Sequence, residues 1–199
     1  MIGIFGGVGS GKSIAADYLK SSYNAYVIKA DEIAHRLYRK RQNGYKAIIR
    51  ICGKNILDED GNINREKLAG LLYNDQRLLN EVNASIHPMV YSKVSELIEN
   101  CKKEGHHRLI VYEAALLPDG RLEFIDESWN IYTPAEIRAQ RLRNDRSYTD
   151  ERIREIMSQQ PDDEEYRQYC DMIVINDGEV GKMERQIDEI IEYSKRKQR

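Results

Sequence analysis

Gly6, Gly11, Lys12 and Ser13 stand in the run GGVGSGKSI, residues 6–14, spaced as G-x-x-x-x-G-K-[ST]. That is the pattern of a loop that wraps phosphate. Glycines admit backbone angles that turn several N–H groups onto one anion, and a helix that follows adds the positive end of its dipole. Lys12 is then placed to bridge the β- and γ-phosphates of a nucleoside triphosphate, and the Ser13 hydroxyl to ligate Mg²⁺. Gly7, Val8, Gly9, Ser10 and Ile14 complete the candidate nucleotide cradle. The match lies between a strand-like MIGIF and a helix-like KSIAADYL, which is the context the motif requires.

Two acids come next. Asp31, in VIKADEIAH, falls just past the second expected strand. A carboxylate there can accept the proton of an acceptor hydroxyl or orient it for in-line attack. The plain alternative is an N-cap for a helix starting at Glu32. Glu113 ends the apolar run RLIVYE, where an acid holds a Mg²⁺ shell directly or through water.

Residues 137–160 carry Arg138, Arg141, Arg143, Arg146, Arg152 and Arg154. Several are expected on a solvated face or paired with acids. Phosphoryl transfer needs cations that close over the moving group, and Arg141 and Arg146 bracket such a lid. The basic run HRLYRKRQNGYK, 35–46, could meet an anionic substrate, but a solvated helix face is the first expectation, and His87, ahead of Pro88, is by itself expected as a packing residue.

The elements that must position these residues alternate. Strands are expected at 1–5, 25–29, 108–112, 128–132 and 171–175, the last three including compact runs such as RLIVY and DMIVI. Runs of that kind belong to parallel sheets buried on both faces. A helix is expected over 12–21, and another near the C-terminus with Val180, Met183, Ile187, Ile190 and Ile191 on one stripe. Its basic end, Lys195 to Arg199, suits a fraying last turn. Residues 31–107 form a long helical insertion, whose stripe Val82, Ile86, Val90, Val94, Leu97 and Ile98 should kink or restart at Pro88. Asn64 is its expected helix cap, after the Gly turn of LDEDGNINREKL. The fold class is α/β: a doubly wound, parallel, five-stranded sheet in one domain, 1–199, with a substrate-side insertion and an Arg-rich lid at about 137–160.

Composition agrees with a charge-rich globular chain: 199 residues, 41% hydrophobic, 32% charged, net charge −2. No bulk basicity argues for nucleic acid or an anionic membrane, and no apolar run approaches the ~20 residues of a membrane span. The N-terminal apolar run has no basic segment before it, unlike a secretory leader. Cys52, Cys101 and Cys170 are widely spaced and form no C-x-x-C pair. Reduced thiols and a cytoplasmic protein, monomeric or weakly self-associating, are expected.

Three classes use such a loop. A GTPase needs a guanine-reading N/T-K-x-D segment, which is absent, and the lone DEDG, 58–61, lies in the insertion. A motor ATPase carries a fuller acidic strand and a larger chain. A small-molecule kinase fits the parts, but the residues alone do not name its acceptor. A nucleoside or nucleotide acceptor, or a nucleotide-binding regulator that has lost transfer, stays open at this point.

Taken together, these segments resemble the dephospho-CoA kinases, P-loop kinases that phosphorylate the 3′-hydroxyl of dephospho-CoA with ATP. The likeness runs along nearly the whole chain: GGVGSGKS, VIKADEIAH, LDEDGNINREKLAGLLYND, LNEVNASIHPMV, the lid end with Gln160, and DMIVINDG. The resemblance implies that Asp31 meets the acceptor hydroxyl, that Gly9 to Ser13 cradle the phosphates, and that Arg141 is a lid arginine. It also implies that Asn176 to Gly178 lie near the adenine and that His87 lies on the CoA side. Three positions depart from the family pattern. Lys29 stands for an aspartate, and in a strand it would face the same way as Asp31, holding that carboxylate ionised. Ala115 replaces a proline and no acid follows Leu117, which leaves Glu113 to serve alone. Arg141 and Arg146 are one residue further apart than the family tends to have them.

Overall fold

The structure is a computed structural model and describes residues 1–118 and 122–197, the side chains of Arg146 and Lys197 excepted. All five expected strands are present, within one residue at either end: β1 (Ile2–Phe5), β2 (Ala25–Lys29), β3 (Leu109–Glu113), β4 (Glu127–Tyr132) and β5 (Met172–Ile175). They form one parallel sheet in the order β2-β3-β1-β4-β5. Register pairs Ile4 of β1 with Glu113 of β3 and with Trp129 of β4, and Tyr132 of β4 with Ile175 of β5. Because these strands run parallel, the residues that follow β1, β3, β4 and β5 emerge at one edge of the sheet, where ligands bind in folds of this kind.

Parallel neighbours require crossover helices. Between strands these are α1 (Lys12–Tyr23), α2 (Ala30–Leu37), α3 (Asn43–Cys52), α4 (Arg65–Asn74), α5 (Gln76–Glu104), α6 (Ala135–Arg146), α7 (Asp150–Ser158) and α8 (Asp163–Tyr169), and α9 (Val180–Lys197) follows the last strand. Alternation along the strands sends Ile2, Ile4, Trp129 and Ile131 to one face, where they pack with Ala15, Ala16 and Leu19 of α1 and Met183 and Ile187 of α9. The other face receives Phe5, whose ring meets Tyr112 and Tyr169 of α8 edge to face. Helices on both faces explain why β3 reads as a continuous apolar run. By contrast β5, expected to be buried in the same way, is the edge strand and buries only Val174 fully, leaving Ile173 and Ile175 exposed. Trp129 is fully buried, and its indole N–H donates to Glu127 Oε1 at 2.8 Å, so the largest core side chain leaves no polar atom stranded. Val180, placed on the buried stripe by periodicity, is exposed. It is the first residue of α9, and the stripe begins one turn later at Met183.

The chain divides into two compact units, Met1–Ile28 with Cys101–Arg199, and Lys29–Asn100. In the second, Val82, Ile86, Val90, Val94 and Ile98 are buried along α5, one every fourth residue. Pro88 neither ends nor restarts this helix, which runs unbroken from Gln76 to Glu104. Pro88 is on the exposed side, and the buried stripe either side of it holds the helix across the missing N–H. Asn64 caps α4 as expected, its side-chain oxygen accepting from the N–H groups of Glu66 and Lys67 at 3.0 Å each. Among the described residues no helix is long and apolar enough to cross a membrane, and the three cysteines are free.

Candidate active site

The loop after β1 is built for close backbone approach. Gly9 and Gly11 have φ of +78° and +92°, the left-handed region that side chains disfavour. Gly11 is also the residue before α1 and offers no side chain to cap it, so the first N–H groups of α1 are left for an anion. Lys12 is buried, and its ammonium donates to the carbonyls of Gly6 at 2.8 Å and Gly7 at 3.1 Å. Ser13 Oγ donates to Glu113 Oε1 at 2.7 Å. Glu113 itself is buried at the end of β3. The segment beyond it is fixed in turn, because the Tyr166 hydroxyl of α8 donates to Ala115 O at 2.5 Å. Burial pushes that phenol's pKa well above its ordinary value.

Residues at the ends of β4 and β5 hold the loop from outside. Asn176 Nδ2 donates to Ser10 O at 2.8 Å. Thr133 Oγ1 lies 2.7 Å from Asn176 O and 3.0 Å from Ser10 O, with one proton to give to either. Arg141 of α6 donates to Gly9 O and Asn176 O, both at 3.2 Å. Val8 N–H donates to Gln160 Oε1 at 2.8 Å. A Cβ added at Gly11 would collide with Asn176 Nδ2. The close packing of loop against β5 is therefore a second reason for glycine there.

The structure thus brings together the loop from Gly7 to Ser13 with Glu113, Arg141 and Asn176. Ile14 is exposed on α1, and Gly178 has φ of +133° two residues past Asn176. Asn176, expected near an adenine, directs its amide into the loop backbone. The side chain of Arg146 lies outside the described residues. Asp31 and His87 belong to the second unit. His87 is half-buried in α5, its ring 6.0 Å from that of Tyr91. Asp31 is exposed at the second position of α2. It is not that helix's cap, because the helix begins at Ala30 and the cap position falls to Lys29. Nor do Lys29 and Asp31 alternate as strand residues, since one ends β2 and the other is helical. One turn on, His35 has its pKa lowered by burial and then by the charge of Arg65.

Thr133, Arg138 and the contact of Gln160 were not visible in the sequence. Thr133 had a positional signal, as the residue immediately after a buried strand and before a proline. Arg138 had none among five neighbouring arginines. Far from a solvated face, it is buried, with Nε donating to Thr133 O at 3.1 Å and Nη2 3.5 Å from Asp163 Oδ1.

Comparison with known proteins selects the acceptor. The model of the dephospho-CoA kinase family matches residues 1–182. A dephospho-CoA kinase from Aquifex aeolicus is 30% identical over 192 residues, 96% of this chain and 95% of that one. A crystal structure from Thermus thermophilus superposes with a TM-score of 0.79 at 25% identity, covering 96% of each chain. The dephospho-CoA kinase of Campylobacter jejuni shares the fold, with a TM-score of 0.66 at 22% identity over 100% of this chain and 98% of that one. This chain belongs to the dephospho-CoA kinase family, the ATP-dependent kinases that phosphorylate the ribose 3′-hydroxyl of dephospho-CoA to give coenzyme A.

Proposed function

We propose that Ser13 and Glu113 form the protein's share of a Mg²⁺ site, and the observation that carries this is the 2.7 Å hydrogen bond between them. A hydroxyl and a carboxylate are the hard oxygen donors that Mg²⁺ takes. Among the described residues no group of three or more His, Cys, Asp or Glu side chains could hold a metal. The remaining ligands are then waters and phosphate oxygens, the usual arrangement for Mg²⁺ with a nucleotide. Held by Ser13 and Glu113, Mg²⁺ would supply positive charge that offsets the negative charge developing on transfer.

The rest of the work falls to the chain. The N–H groups from Gly9 to Ser13 hold the β-phosphate, and Ser10 Oγ, buried with no partner among the described residues, is one more group a phosphate oxygen can satisfy. Lys12 exchanges the Gly6 and Gly7 carbonyls for β- and γ-oxygens. Arg141, already held against the loop, supplies charge to the moving phosphoryl group, with Arg146 beyond it in the lid. Ile14, Asn176 and Gly178 border the nucleotide. Asp31 orients the 3′-hydroxyl for in-line attack and accepts its proton, and His87 contacts the CoA side of the acceptor. Catalysis is positioning plus charge neutralisation, since a loose transition state asks for little covalent help. We further read the chain as one kinase domain with a helical insertion at about 31–107 and a lid at 137–160. It acts in the cytoplasm as a monomer or weak oligomer on small molecules alone, and the free thiols suit that compartment.

The test is a Mg²⁺ titration of wild type and Glu113→Gln at saturating ATP and acceptor. The variant should need about tenfold or more Mg²⁺ for half-maximal rate. An unchanged requirement would remove Glu113 from the metal site.

A further inference from the structure

Gly7 is the one loop glycine whose backbone does not call for glycine. Gly6, Gly9 and Gly11 all have φ in the left-handed range, whereas Gly7 does not. What forbids a side chain at Gly7 is Arg138. A Cβ built there would overlap Arg138 Nη1, lie 2.8 Å from its Cζ and 3.3 Å from Gln160 Oε1. The end of an arginine ordinarily swings aside. This one is 7% exposed, with Nε on Thr133 O and Nη2 facing Asp163, so it has nowhere cheap to go. Arg138 also presses on Gly9, where a Cβ would come within 3.1 Å of its carbonyl oxygen.

We propose that Arg138 is a positioning residue for the phosphate loop, and that Gly7 is glycine to admit its guanidinium. The planar fork lies against the Gly7 backbone, while the neighbouring Val8 N–H is taken by Gln160. Together they hold the first half of the loop, the half whose carbonyls receive Lys12. Thr133 O ties Arg138 to the end of β4, and Asp163 ties it to the start of α8. The loop is therefore held by the two segments that flank the lid helices α6 and α7. A lysine could supply the charge but not the fork. This inference rests on the loop being the ATP cradle, which Lys12→Ala tests by itself.

The experiment is a mutant cycle on wild type, Arg138→Gln, Gly7→Ala and the double variant. It reads kcat, KM for ATP, KM for dephospho-CoA and the melting temperature. Arg138→Gln should raise KM for ATP about five- to tenfold and leave KM for dephospho-CoA within about twofold, the signature of a misplaced ATP loop rather than general damage. Arg138→Lys should not restore it. Gly7→Ala should lower kcat/KM for ATP by about tenfold or more with Arg138 present, but by less than about threefold in the Arg138→Gln background, where the Cβ has room. Equal cost of Gly7→Ala in both backgrounds would overturn the pairing, and so would Arg138→Gln with unchanged KM for ATP. Should Gly7→Ala fail to fold, the change in KM for ATP in Arg138→Gln against Arg138→Lys decides alone. Full activity of Lys12→Ala would instead point to failure of the loop's assignment.

Discussion

Ser13 Oγ donates a 2.7 Å hydrogen bond to Glu113 Oε1 although 100 residues separate them. Two local facts create that meeting. Ser13 is in the first turn of α1 immediately after the loop, and Glu113 closes β3 in register with Ile4 of β1, the strand that leads into the loop. If both groups hold one Mg²⁺, their losses cannot add. Ser13→Ala and Glu113→Gln should each cut kcat by about a hundredfold, and the double variant by little more than either single one. Kinetics at saturating ATP and Mg²⁺ check this; independent, additive losses would mean that the two serve different purposes.

Lys12 and Asp31 should separate nucleotide binding from acceptor chemistry. Lys12→Ala is expected to abolish measurable transfer, since it removes the ammonium held at the Gly6 and Gly7 carbonyls inside the phosphate loop. Asp31→Asn should lower kcat by about a hundredfold or more while leaving ATP affinity within about twofold. Calorimetric ATP titration beside steady-state kinetics distinguishes the two effects, and an Asp31→Asn enzyme of wild-type rate removes the role given to that carboxylate.

The ties between loop and sheet edge should show in stability as well as rate. Asn176 is 1% exposed and Thr133 likewise, so truncating either removes a buried hydrogen bond, while the Ser10 and Asn176 carbonyls each keep one other donor. Asn176→Ala and Thr133→Val should each cost about 0.5–1.5 kcal/mol in chemical denaturation. Saturating ATP should recover part of that loss by mass action. No change in the denaturation midpoint would mean that solvent replaces these bonds freely.

How much of this could be read from the residues alone differs by feature. β3 was legible because burial on both faces leaves a continuous apolar run, LIVY, β5 because MIVI is β-branched although Ile173 and Ile175 are exposed at the sheet edge, and the loop because its glycine spacing is a backbone requirement. Glu113 was legible as the acid closing an apolar strand. Asp31 was singled out by its place after the second strand, but its setting was not legible: β2 passes into α2 without a turn, so Lys29 takes the cap position and strand alternation stops there. Pro88 misled as a point of restart because the rule for its missing N–H is local, whereas a buried stripe on both sides keeps α5 continuous. Thr133, Arg138 and Gln160 act through proximity to a loop more than a hundred residues earlier, and proximity of that kind leaves no mark on spacing.

Alkaline pH should weaken the fold. Burial holds the Cys170 thiol up to about 12. The Tyr18 phenol is raised chiefly by its hydrogen bond to Asp188, and Tyr23 chiefly by burial and then by the same carboxylate. An unfolded chain releases these protons near the ordinary values of 9.0 for cysteine and 10.0 for tyrosine. Above that point the native state binds more protons than the unfolded one, so stability falls with pH. The loss should begin near pH 9 and continue towards 12, followed by melting temperature across that range. Tyr23→Phe should flatten the slope above pH 10, and an unchanged slope would assign the loss to other groups.

The most direct measurement is ADP formation from ATP and Mg²⁺ with dephospho-CoA, set against ATP alone and against AMP, UMP and shikimate as acceptors. Turnover with dephospho-CoA only, with coenzyme A as the second product, is the predicted result. Silence with dephospho-CoA from a folded protein that binds ATP, or equal turnover with another acceptor, would contradict it.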